Sequence, residues 1–447
     1  MNISVVTRGG LVGLVFGLVC LTGCPAPQGG AGASSGGGAV ADRGASPQPG
    51  APARTATAKA EDVAAAQKLL DGLGANAKHT LLPGDVLTEI VIQDGSLLTA
   101  EDIGLFGKLA DLETLQIYNF RELNDEMASQ LAGLNNLRSL ALTNSVVNDP
   151  TVEMIAKSFP KLTDLDLSSN TNLTNSVLKV ICELGRLQRL TLVQNRFNDL
   201  GTSHLSKLQN LQFLDLRGNM EAGDMTMQVI AALPKLAALK HRSTAVSDFG
   251  MEYLAGSKTL ESLLMHDFAV TGQAGEHLAK LEKLTQLEVF RCQGFSSDGL
   301  LAIKGMKLSR LTLRDLPAID DMGMEVFTEL PELKRLYLHE LASVSDTGLQ
   351  NLQSLKSLEV LDIWTVPQMT DAAVEVIAAL PNLRELSIRS TDVTDAAVDK
   401  LLAMPNLQSL TFKENGNVTA EGLKKLAGKK WSKLDVGETE TGQTASP

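Results

Sequence analysis

The side chains able to do chemistry are few and far apart in this 447-residue chain. His266 and His339 recur at one place in an internal pattern, and two histidines on one surface are the beginning of a metal site. Asp164 and Asp166 alternate on one short stretch, the placing a carboxylate pair needs for acid and base work on a glycosidic bond. Neither pair finds the further groups that would complete it. No H-E-x-x-H, G-x-S-x-G, C-x-x-C or phosphate-cradling glycine loop stands where it could act. The four cysteines are too few for a disulfide framework. The expectation is a chain with no catalytic residue, no metal site and no cofactor.

What positions these side chains is a repeat. Aligned on L-x-x-L-x-L, rungs open at Leu87, Leu112, Leu137, Leu162, Leu187, Leu211, Leu236, Leu260, Leu284, Leu308, Leu333, Leu358, Leu383, Leu407 and a degenerate Trp431, with every spacing 24 or 25. Such periodicity predicts a solenoid with one short strand per rung. After each strand comes an apolar residue, then a capping residue, then usually aspartate: Leu123-Asn124-Asp125, Val246-Ser247-Asp248, Val344-Ser345-Asp346, Met369-Thr370-Asp371 and Val393-Thr394-Asp395. A polar oxygen there caps a helix start, and the aspartate sits at the positive end of the helix dipole. Pro160, Pro234, Pro331, Pro381 and Pro405 lie two residues before the next opening leucine, where a ring without an N–H helps end the helix.

This run is identified as leucine-rich repeats, covering about residues 81–437. The resemblance implies an α/β horseshoe, parallel strands on the concave face and helices on the convex face. Many members of the family keep asparagine eight residues after the opening leucine, where the amide satisfies neighbouring backbone groups. Asn170, Asn195, Asn219 and Asn415 match; Phe120, Phe268, Cys292, Leu316, Leu341 and Val366 depart. The departing rungs resemble the cysteine-containing repeats of ubiquitin-ligase substrate receptors and the Val-Thr-Asp-Ala repeats of internalin-like bacterial lipoproteins. No F-box-like segment precedes the array, so only the repeat geometry carries over.

Strand stacking at ~4.8 Å then separates the reactive groups. His266 and His339, three rungs apart, stand ~14 Å from each other, too far to share one metal ion. Cys182 falls in the helical half of its rung and Cys292 just past a strand five rungs later, at least ~24 Å away, so they are expected to be core thiols. His241 takes a core position where neighbouring rungs carry Leu216 and Met265, and is expected to be buried and hydrogen-bonded.

Residues between and just after the core leucines must point outward. Six residues after each opening leucine the chain reads Arg217, Arg242, His266, Phe290, Arg314, His339, Trp364, Arg389 and Lys413, with Arg310, Arg335 and Tyr337 alongside. Arginine, tyrosine and tryptophan are enriched at binding hot spots. The expected ligand surface is this basic and aromatic stripe: Arg242, His266, Phe290, Arg310, Arg314, Arg335, Tyr337, His339, Trp364 and Arg389. Earlier rungs present Asp164, Asp166, Ser168 and Asp215 instead.

The N-terminus carries Arg8, an apolar run from Leu11 to Val19 and then Leu21-Thr22-Gly23-Cys24, which resembles the bacterial lipobox. That resemblance implies a signal peptide over 1–23 and a diacylglyceryl group on Cys24. From 24 to 57 the Gly, Ala, Ser and Pro content predicts a disordered tether. Val63, Ala66, Leu69, Leu70 and Leu73 predict an amphipathic capping helix within 58–80, and 438–447 reads as a polar tail. A formal charge of −12 argues against a nucleic-acid partner. The expected protein is lipid-anchored at the cell membrane or outer membrane, faces the periplasm or the exterior, and binds a protein or peptide expected to be acidic. The alternatives are a structural or adhesion spacer of the envelope, and polysaccharide binding through Trp364 and Tyr337 or inhibition of an enzyme held in the arc.

Overall fold

A computed structural model describes residues 57–437; Cys24, the expected signal and tether segments and the tail 438–447 lie outside the described residues. The strands form one sheet of sixteen, each hydrogen-bonded to its neighbours in sequence order. The repeat spacing dictates the register. Leu287, Leu311, Leu336, Leu361 and Leu386 pair across successive parallel strands, and so do their outward neighbours Phe290, Arg314, His339, Trp364 and Arg389. Inward residues such as Leu311, Leu313, Leu336 and Leu338 are fully buried, so each rung adds a layer to one apolar core. Burial of each such leucine is worth about 2 kcal/mol.

One to three residues past most strands the backbone turns through the left-handed region, at Asn119, Asn144, Ser169, Gln194, Asp267, Arg291, Asp315, Glu340, Thr365, Ser390 and Glu414. A non-glycine residue there is uncommon, and its recurrence shows the cost is met by structure. The N–H of such a residue donates to the next rung: Glu340 N to Trp364 O at 2.8 Å and Ser169 N to Val193 O at 2.7 Å.

The helical half is held from rung to rung. Thr394 accepts from Ala396 N as the cap of helix Asp395–Ala403, while its own N–H and hydroxyl donate to Asp371 of the preceding rung at 2.9 and 2.6 Å. The pairs Asn148 to Asp125, Ser247 to Asp224, Ser345 to Asp321, Thr370 to Asp346 and Thr419 to Asp395 repeat the contact. The recurring aspartate is thus an inter-rung staple as well as a charge at a helix start.

At the first end, helix Ala60–Leu73 buries Val63, Ala66 and Leu70. The segment expected as a helical cap also contains a strand, Ala77–Leu82, running antiparallel to Val86–Ile92. Pro83-Gly84-Asp85 makes the turn, with Gly84 and Asp85 at positive φ. At the other end the last strand is Lys433–Asp435, and Trp431 Nε1 donates to Leu426 O at 2.7 Å.

Candidate binding surface

The ten residues expected to form a ligand surface all lie on the outer face of consecutive strands, Ala238–Arg242 through Glu385–Arg389. Parallel register stacks them into a run of rings and guanidinium groups. His266 meets the Phe290 ring edge to face, with centroids 4.8 Å apart. The Arg314 guanidinium lies over Phe290 at 4.5 Å and, reaching past the rung of His339, over Trp364 at 5.3 Å. Arg389 covers Trp364 at 5.3 Å, and His339 packs edge-on against both Trp364 and Tyr337. Arg310 lies 4.9 Å over the Tyr337 ring, and Arg335 Nε donates to the Tyr337 hydroxyl at 3.3 Å. These contacts hold flexible arginines in place before anything binds.

The expectation of a basic stripe is corrected here. Carboxylates in neighbouring columns answer the cations. Arg242 and Arg291 both hydrogen-bond Asp267; Arg314 Nε reaches Glu340 at 3.2 Å, and Arg389 reaches Asp362 at 3.2 Å. His266 Nε2 lies 3.0 Å from Glu288. Over the rungs opened by Leu260 to Leu383, Arg291, Arg310, Arg314, Arg335 and Arg389 face Asp267, Glu288, Asp315, Glu340, Asp362 and Glu385, so the surface is charge-balanced. Sequence reasoning read the column of cations alone and missed the acids. Their positions, two, four and seven residues after the opening leucine, were available as a signal.

Electrostatics follow the pairing. Burial pushes the Asp267 carboxyl up, but hydrogen bonds from Arg242 and Arg291 outweigh it and hold it below the usual carboxylate range. Burial likewise opposes, and His339 and Arg389 overcome, in holding Asp362 low. Glu288 is held low against burial by His266. Two polar atoms in this region find no protein hydrogen-bond partner, Thr312 Oγ1 and His339 Nε2. His339 Nε2 lies 3.5 Å from Asp362 Oδ2, an ion-pair separation rather than a well-formed hydrogen bond.

The remaining reactive residues lie away from this stack. Asp164 and Asp166 stand on neighbouring outward positions of strand Asp164–Asp166, both pushed up by burial, with Arg189 beside the first at 3.3 Å. Cys182 and Cys292 are buried free thiols, and burial pushes each up to about 12. Among the described residues no group of three or more metal-ligating side chains occurs, and no helix is long and apolar enough to cross a membrane.

His241 and Cys292 have a shared explanation. Asn170, Asn195 and Asn219 are fully buried and donate from Nδ2 to the carbonyls of Leu142, Leu167 and Leu192, each the last inward residue of the preceding strand region, at 2.7, 2.8 and 2.7 Å. In two rungs where the asparagine is missing, another group faces the equivalent carbonyl. His241 Nδ1 lies 3.2 Å from Leu216 O, and Cys292 Sγ lies 3.7 Å from Met265 O. His241 Nε2 is nearer still to Ala222 O, at 2.8 Å, and burial holds its pKa down. A neutral ring has one N–H, so it donates to one of these two carbonyls at a time.

The helical side carries a feature the sequence reading passed over. Leu200, Met225 and Phe249 each follow the first-turn aspartate on three successive rungs, and they are 75%, 51% and 70% exposed. Tyr253 adds to this apolar row one helical turn beyond Phe249.

No protein-family model matches the chain. Solved structures do. A chain of the yeast Rad7 and Elc1 complex is 17% identical, with a TM-score of 0.51, over 86% of this chain and 90% of that one. An internalin from Listeria monocytogenes is 19% identical, with a TM-score of 0.49, over 79% of this chain and 95% of that one. The sheet order and the likeness to the yeast chain show the fold: an α/β leucine-rich-repeat solenoid, its strands on the concave side as their closer spacing requires.

Proposed function

We propose that this chain is a non-enzymatic binding module, anchored in the bacterial cell envelope through lipidated Cys24, that engages a protein or peptide on the strand face of its later rungs. The observation that carries the reading is the preassembled stack of Phe290, Arg314, Trp364 and Arg389. Rigid rings and fixed guanidinium forks gain contact at small entropic cost. Repeat solenoids offer extended concave surfaces of this kind. The neighbouring carboxylates change the partner expected. A purely acidic segment would have to compete with Glu340 and Asp362 for their arginines. A segment with an aromatic or aliphatic anchor and charges of both signs fits better.

The test is an affinity purification from envelope extracts with Arg314, Tyr337, His339 and Trp364 replaced together by alanine. Specific partners are expected to weaken at least about tenfold relative to the native chain; retention of every partner at native level contradicts the surface. A Cys24→Ala chain is expected to leave the membrane fraction and to lose lipid labelling, and unchanged fractionation contradicts the anchor.

The exposed row of Leu200, Met225 and Phe249 favours a second reading, a structural or adhesion role through the helical side. Under that reading Phe249→Asp alters envelope integrity while the strand-face variant does not.

A further inference from the structure

The rungs opened by Leu112 to Leu187 form a different surface from the ring-and-guanidinium stack. The rung opened by Leu137 presents only small outward residues, Ser139, Ala141 and Thr143, whereas the rungs on either side present Gln116 and Tyr118, and Asp164 and Asp166. A small rung between two larger ones leaves a trough, and a cavity of about 640 Å³ lies there, with Tyr118 on one wall, Asp166 on the other and Thr143 between. That volume is within the ~300–1,000 Å³ of ordinary small-molecule sites.

The left-handed column completes the trough. Asn119, Asn144, Ser169 and Gln194 occupy this conformation on four successive rungs and line the cavity side by side at ~4.8 Å intervals. Their hydrogen bonds to one another are at the long limit: Asn144 Nδ2 to Asn119 Oδ1 is 3.5 Å, and Ser169 Oγ to Gln194 Oε1 is 3.4 Å. These groups are available to a ligand. Asp166 gives Oδ1 to the Ser168 N–H and hydroxyl at 2.9 and 2.6 Å, which leaves Oδ2 to accept from elsewhere. Arg121 at the rim has no ion-pair partner among the described residues.

The lining is therefore dense in uncharged donors and acceptors, set around the Tyr118 ring, with Val146 as its one aliphatic side chain. A peptide would find only the Tyr118 ring and Val146 to bury its side chains against. A nucleotide or other polyanion would meet Asp166. A ligand with many hydroxyls and an apolar C–H face suits both the amide column and the Tyr118 ring. The geometry points to a second binding site here, for a neutral saccharide of two or three rings, independent of the later-rung surface.

The full-length chain is screened on an array of neutral and charged oligosaccharides and titrated calorimetrically with maltotriose, cellotriose and tri-N-acetylchitotriose. At least one neutral saccharide is expected to bind, with affinity lowered about tenfold or more by Tyr118→Ala and by Asn144→Ala, and unchanged by Trp364→Ala. Circular dichroism confirms that each variant keeps the fold, and hydrogen exchange is expected to show ligand protection at 116–120 and 141–146. Absence of neutral-saccharide binding, binding confined to charged saccharides, indifference to both trough variants, or loss in Trp364→Ala alone would each overturn the assignment.

Discussion

The rungs opened by Leu162 to Leu211 and those opened by Leu284 to Leu358 follow one backbone path with different side-chain solutions. In the first group a buried asparagine after the turn satisfies two carbonyls, as Asn170 does with Leu142 O and Leu167 O at 2.7 and 2.9 Å. In the second group Cys292, Leu316, Leu341 and Val366 fill that place and are fully buried, and the last three trade polar satisfaction for apolar packing. The outward faces diverge in parallel. The left-handed column carries Ser169 and Gln194 in the early rungs, and Arg291, Asp315 and Glu340 in the later ones. A repeat backbone thus fixes where side chains go and leaves their chemistry free, so one sheet can carry two unlike surfaces.

The comparison breaks most directly at the asparagines. Asn195→Leu removes the acceptor of Asn170 N and the donor to Leu167 O, and is expected to cost about 3 kcal/mol, read from the denaturation midpoint. If it costs no more than a conservative apolar exchange at Leu341, the two groups of rungs do not differ in the way described. A smaller effect should be shared by both regions, because the helical side is built alike throughout. Asn124→Ala, early, and Thr394→Ala, late, each remove a helix cap and should each cost about 1 kcal/mol by thermal denaturation. A cost confined to one end would show that the capping is not general.

The subtlest contrast is in pH. Asp267, Glu288 and Asp362 are held low in the fold, so their contribution is complete above the unfolded carboxylate pKa of about 4 and is lost as pH falls through the lower folded values. Asp164 and Asp166 are pushed up by burial, so their ionised forms disfavour the fold, and protonation as pH falls through their folded values relieves it. Hydrogen exchange between pH 7 and pH 3 is expected to show the later rungs opening while the rung of Asp164 gains relative protection. Equal loss at both places would remove the electrostatic half of the comparison.

Much of this was legible in the sequence because periodicity is a strong signal. The opening leucines gave every strand from Val86–Ile92 to Lys433–Asp435, and the column six residues on gave the outward stack of Phe290, Arg314 and Trp364. The rest depended on contacts between rungs, which a reading along one column does not reveal. Asp371 reads as a dipole charge until Thr394 of the next rung is seen to donate to it. Arg314 reads as a free cation until Glu340 is seen to hold it. The trough at Thr143 arises because Ser139, Ala141 and Thr143 are small between larger neighbours, a comparison across three rungs. The strand Ala77–Leu82 falls outside the repeat, with only the turn residues Pro83-Gly84-Asp85 to announce it.

The central claim is that the strand face of the later rungs is where the partner sits. Photo-cross-linking in intact cells tests it, with a photoreactive residue placed at Tyr337 on the strand face or at exposed Gln353 on the helical side of the next segment. The account predicts a discrete cross-linked partner band from position 337 that disappears when Trp364 is also changed to alanine, and none from position 353. Cross-linking from 353 with none from 337 would contradict it.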